Sequence, residues 1–330
     1  MKKNTLLTLI STLVILTACQ NESSTLSSEN EPISIKTSIY PLHYFAERIG
    51  EDQVKVSTLL PPGSDAHTFE PTPKDMIEIA ESDLFIYNGL GMESYSSKIA
   101  KALKSEDALM VEATEGADVI SSSHGHKGEQ TAGEEGVHDE HGDGSHEEEA
   151  HDKHSDGDYD PHIWLDPTRA DQLAANIRDA LIKEKPEEKK NFEKNYQELV
   201  KDLNELDREM NEVTSEKDHP EILVSHAAYG YWEDTYKIEQ LAVAGLSPTD
   251  EPSQKELKEI IETANKHGLK YVIFEQNVTP RVAKIVQDEM KAEPLRIHNL
   301  SVLTEEDIEK DKDYLSLMKE NIETLKKALE

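Results

Sequence analysis

Three histidines, His67, His162 and His226, each sit just after a strand candidate, and imidazole nitrogen is a good ligand for zinc and comparable ions. His67 lies in Leu59-Leu60-Pro61-Pro62-Gly63-Ser64-Asp65-Ala66-His67-Thr68-Phe69-Glu70-Pro71-Thr72-Pro73, where the prolines restrict the backbone and pre-position the ring. His162 follows Asp160-Pro161 and opens the run Ile163-Trp164-Leu165-Asp166, and His226 follows Val224-Ser225. The carboxyl ends of parallel strands are where open α/β sheets place their ligands. Taken singly, each histidine fits a structural or surface role. Together with a fourth oxygen donor or a water, the three would satisfy a tetrahedral shell at about 2.0–2.1 Å per bond.

A second set of histidines has a different character. Between Ser121 and Asp160 the chain carries His124, His126, His138, His141, His146, His151 and His154 among thirteen acidic residues and seven glycines, with almost nothing apolar. Such a stretch has too little apolar surface to offset the entropy of ordering, so it is expected to be a disordered auxiliary collector with several weak, exchangeable positions. The whole chain carries 35 basic and 68 acidic residues, a formal net charge of −33. That balance argues against nucleic acid, whose phosphates need a basic face, and makes cations the natural partners.

The elements that must position the three histidines follow a βαβ rhythm. Strands are expected at Ile33 to Ile39, Val54 to Leu60 and Leu84 to Tyr87, with helices near Leu42 to Ile49 and from Pro73 to about Ala80. A helix is expected from Pro167 to about Glu184. Beyond Pro186, Phe192, Tyr196, Leu199, Leu203, Leu206 and Met210 recur at spacings of three and four, the apolar stripe of a long amphipathic helix over about 187–215. The rhythm resumes after Pro220 with strands at Ile222 to Ser225, Leu241 to Val243, Tyr271 to Phe274 and Pro294 to Ile297. Its helices run from Ser253 (a capping box with Glu256) to His267, from Thr279 to Met290 and from about Tyr314 to Leu329. The expected class is α/β with mostly parallel sheets, divided into 33–166, a helical segment 167–219 and 220–330.

At the amino terminus Lys2 and Lys3 precede an apolar run from Leu6 to Leu16, too short to span a bilayer comfortably, so residues 1–18 read as an export signal. The run ends in Leu16-Thr17-Ala18-Cys19, which resembles the bacterial lipoprotein signal, with Cys19 as the lipid-bearing first residue and 19–32 as a tethered stalk. Cys19 is the chain's one cysteine, so no disulfide can form within it.

Three histidines and a water are also the arrangement of a catalytic zinc, so a zinc-dependent hydrolase has to be weighed. Hydrolysis needs a placed general base, and the chain has no His-Glu-x-x-His, no Gly-x-Ser-x-Gly and no phosphate-binding glycine loop. The expected protein is a binder and not an enzyme.

The loop Pro-Pro-Gly-x-x-x-His-x-x-Glu-Pro-Thr-Pro, the segment Asp-Pro-His-Ile-Trp-Leu-Asp-Pro, the segment Val-Ser-His-Ala-Ala-Tyr-Gly-Tyr and the histidine-rich stretch occur in the order found in a known family. From Cys19 onward the chain resembles the zinc-binding lipoproteins that serve as solute-binding components of bacterial ABC metal-uptake transporters. The resemblance implies two β/α lobes joined by a long rigid helix, with Zn²⁺ held as cargo in the interlobe cleft by His67, His162 and His226. It also implies a monomer tethered to the outer face of the cytoplasmic membrane, delivering its ion to a permease with a separate ATPase. Manganese-binding relatives typically carry a carboxylate at the place of His226, and an adhesin role is compatible with the same anchor. Some relatives carry an acidic fourth ligand near the place of Ser301, where this chain has none. Glu275 is then either a fourth ligand or a carboxylate that orients a histidine N–H, and a water or a loop histidine could complete the shell.

Overall fold

The computed structural model describes residues 31–96, 98–99, 109–122, 159–215 and 217–330. The expectations for the export signal 1–18, for Cys19 and most of the stalk, and for His124, His126, His138, His141, His146, His151 and His154 lie outside the described residues.

Strands β1 (Ile33–Thr37), β2 (Val54–Thr58), β3 (Leu84–Tyr87) and β4 (Leu109–Glu112) form an all-parallel sheet in the order β2-β1-β3-β4. Leu84, Phe85 and Ile86 are all buried, as expected for a strand covered on both faces. Helices α1 (Tyr40–Gly50) and α2 (Pro73–Ala80) provide crossovers. Pro73 stands in the first turn of α2, and Thr72 and Asp75 form a capping box that seals its start. The β2–α2 connection is therefore a loop stiff at both ends, and it carries His67.

A second all-parallel sheet contains β5 (Glu221–His226), β6 (Glu239–Ala244), β7 (Tyr271–Glu275) and β8 (Glu293–Ile297) in the order β6-β5-β7-β8. Helices α3 (Pro167–Glu184) and α4 (Lys189–Thr214) precede it. Helices α5 (Gly230–Tyr236), α6 (Gln254–His267), α7 (Arg281–Met290), α8 (Glu305–Glu309) and α9 (Tyr314–Ala328) are interleaved with it or follow it. The capping box of Ser253 and Glu256 is present at the start of α6. From β5 the chain steps to one side to reach β6 and returns on the other through β7. His226 ends β5 and Glu275 ends β7, so both stand at the point where the strand order reverses.

The apolar stripe of α4 is wholly interior: Phe192, Tyr196, Leu199, Leu203, Leu206 and Met210 are buried. This helix packs against α1 of the first lobe, against α3, and against α9 of the second. A single continuous core runs from the first sheet through these helices to β5, with a smaller core of Leu223, Val243, Val272, Phe274 and Val286 on the second sheet.

Three elements are absent from the sequence expectation: β4, α5 and α8. Strand β4 is only four residues long, and α8 only five, too short for a period to register. Helix α5 is only seven residues long, begins at a glycine and buries Tyr231, Trp232 and Tyr236, so its period does not register in the sequence. No helix among the described residues is long and apolar enough to cross a membrane.

Candidate metal centre

The stiff loop after β2, the segment before α3 and the end of β5 bring His67, His162 and His226 together. Their candidate ligand atoms all lie within 4.8 Å of one another, the one such group of three among the described residues. His67 Nε2 is 3.1 Å from His162 Nε2, and the ring centroids are separated by 5.1, 5.8 and 5.4 Å around the triangle. His162 and His226 are buried, and His67 is partly exposed.

Each histidine has a carboxylate behind it. Asp65 Oδ1 accepts the backbone N–H of His67 at 3.0 Å and fixes the turn that carries it. Asp160 Oδ1 accepts the backbone N–H of His162 at 2.9 Å and lies 2.8 Å from that ring's Nδ1. A carboxylate there accepts a hydrogen bond from Nδ1–H and so leaves the unprotonated Nε2 facing His67. Glu275 Oε1 stands 3.1 Å from His226 Nδ1, with both side chains 1% exposed, while His226 Nε2 is buried without a hydrogen-bond partner. A buried polar atom with no partner is costly, and an incoming cation would satisfy it.

His162 departs from the expected placement. It does not follow a strand: the chain reaches it from an antiparallel bridge between Ser121 and Tyr159, and it caps a short 3-10 turn, Ile163–Leu165. Aromatic side chains and an asparagine from other parts of the chain secure this segment. The Tyr231 hydroxyl donates to the carbonyl of Asp160 at 2.8 Å, and Asn88 Nδ2 to that of Pro161 at 3.0 Å. The Tyr314 hydroxyl donates to the carbonyl of Trp164 at 2.6 Å and Trp232 Nε1 to that of Leu165 at 2.7 Å. Trp164 Nε1 in turn donates to the carbonyl of Asn299 at 2.8 Å. These backbone acceptors need a donor because the turn leaves them outside regular structure.

Burial sets the protonation of the cluster. It lowers His67 and His162 to about 3, with the neighbouring imidazoles adding to the effect. Burial would lower His226 too, but the Glu275 carboxylate outweighs it and the net shift is upward. Glu275 is opposed by burial and still held below the usual carboxylate range by His226. Burial pushes Asp160 up to about 7, against the pull of the His162 N–H. The buried Tyr229 hydroxyl is raised well above its ordinary value by burial and then by the charge of Glu275. The general expectation of three imidazoles titrating near pH 6.5 therefore does not describe this cleft, since two of the rings stay neutral far below that pH.

The Asp-Pro-His motif contains Asp160 but does not by itself assign it a task. The signal was present: an aspartate two residues before a candidate ligand can bond both its backbone and its ring. At the position expected to lack a carboxylate, the Ser301 hydroxyl is buried and donates to Asn299 Oδ1 at 2.9 Å.

A family profile described as zinc-uptake complex component A, periplasmic, matches residues 35–328. The zinc-binding lipoprotein AdcA of Streptococcus pneumoniae (strain ATCC BAA-255 / R6) is 31% identical over 328 residues, covering 99% of this chain and 61% of that protein. The chain thus spans about three fifths of the length of that relative. The high-affinity zinc uptake system protein ZnuA of Bacillus subtilis (strain 168) is 32% identical over 318 residues, covering 96% of this chain and 94% of its own. Among solved structures, the Zn(II)-bound ZnuA-like domain of Streptococcus pneumoniae AdcA superposes with a TM-score of 0.71 at 28% identity, over 90% of this chain and 99% of that one.

Proposed function

The chain belongs to the family of the periplasmic component A of zinc-uptake complexes, and on that footing we propose that it captures Zn²⁺ outside the cytoplasm and delivers it to an ABC permease driven by a separate ATPase. His67, His162 and His226 are the ligands in this reading. The observation that carries it is the convergence of three imidazoles on one cleft, two of them neutral, together with the unpartnered Nε2 of His226. The donor set fits the ion: three nitrogen ligands with a further position for water suit zinc better than a harder cation, which prefers oxygen.

The placement of the carboxylates supports capture without chemical turnover. Asp160 and Glu275 each face a ring nitrogen on the back of a histidine, so neither is placed as a general base toward a water in the cleft. Glu275 acts by orienting His226, and a water completes the shell. The histidine-rich stretch leaves and rejoins the described chain where Ser121 pairs with Tyr159, beside Asp160, so ions gathered on it would be concentrated near the site. Lipidation of Cys19 would tether the protein, as a monomer, to the outer face of the cytoplasmic membrane.

The test is calorimetric titration of Zn²⁺ into a form lacking residues 1–19. One tight equivalent is expected, weakened at least about a hundredfold in His67→Ala, His162→Ala and His226→Ala, and retained when 121–155 is deleted. Retention of that equivalent in all three single variants would rule out the assignment.

A further inference from the structure

Asn299 occupies a junction between the supports of two of the histidines. Its Nδ2 donates to Glu275 Oε2 at 2.9 Å. Its Oδ1 accepts from the Ser301 backbone N–H at 3.1 Å, from the Ser301 hydroxyl at 2.9 Å and from Gln276 Nε2 at 3.0 Å. Because a backbone N–H can only donate, the Ser301 contact settles which end of the amide is oxygen, and the NH₂ must therefore face Glu275. The Asn299 N–H donates to Gln276 Oε1 at 3.0 Å, and its carbonyl accepts Trp164 Nε1 at 2.8 Å, two residues beyond His162. Every polar atom of the residue is engaged inside the fold, and it is 8% exposed.

The other carboxylate oxygen of Glu275, Oε1, faces His226 Nδ1 at 3.1 Å without a hydrogen bond, and the buried Tyr229 hydroxyl stands near the same carboxylate. A buried carboxylate beside a cation site is itself a strong ligand for hard metals, and a free one would turn toward the charge. Resting on the zinc-capture reading above, we infer that Asn299 is a positioning residue: it anchors Glu275 behind His226, so that the cleft offers three imidazoles and an exchangeable position. Its amide acts as a selectivity device, because releasing Glu275 would add an oxygen ligand and favour Mn²⁺ relative to Zn²⁺. Trp164 on the Asn299 carbonyl ties that setting to the segment that carries His162.

The experiment compares the protein lacking residues 1–19 with Asn299→Ala, with Asn299→Ser as a second variant that keeps a partner for the Ser301 N–H but is too short to hold Glu275, and with Asn299→Ala/Glu275→Gln. Mn²⁺ affinity relative to Zn²⁺ is expected to rise about tenfold in both single variants and to return in the double variant. With Co²⁺ as the probe, the visible absorption should weaken as coordination passes from four to five. A merely structural role would not be reversed by Glu275→Gln. Unchanged metal ratios and Co²⁺ spectra in the single variants would overturn the inference. If the unaltered protein bound no Zn²⁺, the capture reading would fail on its own, and an apo crystal structure of Asn299→Ala would still decide the positioning. Glu275 leaving His226 Nδ1 supports it, and Glu275 remaining at 3.1 Å overturns it.

Discussion

Gly230 lies flush against the Asp160 carboxylate: a Cβ built on Gly230 would stand 2.5 Å from Asp160 Oδ2 and 3.1 Å from Ile120 Cδ1. The start of α5 is thus shaped to leave room for the side chain that aims His162. Gly230→Ala must displace Asp160, since no real Cβ tolerates that approach. Zn²⁺ affinity is expected to fall by about tenfold to a hundredfold, the usual cost of disturbing a group behind a ligand, with near-native far-UV circular dichroism. Calorimetry on Gly230→Ala alongside Asp160→Ala checks it; wild-type affinity in the glycine variant would show that Asp160 does not aim the ring.

Zinc binding should depend on pH less steeply than three free imidazoles would. His67 and His162, at about 3, carry no proton to displace between pH 5 and 7, whereas His226 is raised and Asp160 stands at about 7. Among the described residues, the other charged or titratable groups acting on these histidines are Asp65 and Glu275, with Tyr229 beside Glu275. The affinity falls as pH falls, because protons on His226 and Asp160 must leave for the ion to bind, with a slope of at most about two log units per pH unit in that window. Proton release measured by titration in buffers of different ionisation enthalpy reads this directly, and a slope near three would contradict it.

Arg169 joins three carboxylates, Asp166 at 2.6 Å, Asp234 at 2.6 Å and Asp118 at 3.2 Å, and lies over the Tyr231 ring at 5.1 Å. Asp166 is fully buried, so Arg169→Met would leave it without its counter-charge. A loss of about 3 kcal/mol is expected on the scale of broken buried pairs. Chemical denaturation checks this; Asp166→Asn in the same background should recover part of the loss.

His298 and Asp307 pair at 3.1 Å beneath the loop that carries Asn299. Burial opposes ionisation of Asp307, but hydrogen bonds from His298 and Thr304 outweigh it and hold the carboxyl well below the usual range. A depressed carboxyl contributes stability that is present above its unfolded value of about 3.9 and is lost as pH falls below it. The thermal midpoint of the apo protein should therefore drop on acidification below about pH 4, less steeply in Asp307→Asn. Equal slopes for the two proteins would remove Asp307 from the acid response.

The elements set by local chemistry were legible in the chain. The proline and capping-box start of α2, the stripe of α4 and the apolar strand β3 all follow from residue type and short spacing. Boundaries shifted where a neighbour ended the element: the expected strand from Val54 to Leu60 stops at Thr58, and the helix expected from Thr279 begins at Arg281 after the Pro280 cap. What the sequence could not decide is which atoms meet across long separations. His67 and His162 are 95 residues apart, Trp164 reaches Asn299 across 135, and the place of Glu275 behind His226 depends on β5 and β7 lying side by side. The protonation of the cleft belongs to the same category. Desolvation and opposing charges act through space, so two chemically identical rings fall to about 3 while the third is raised by a carboxylate that comes within reach only when the sheet is formed.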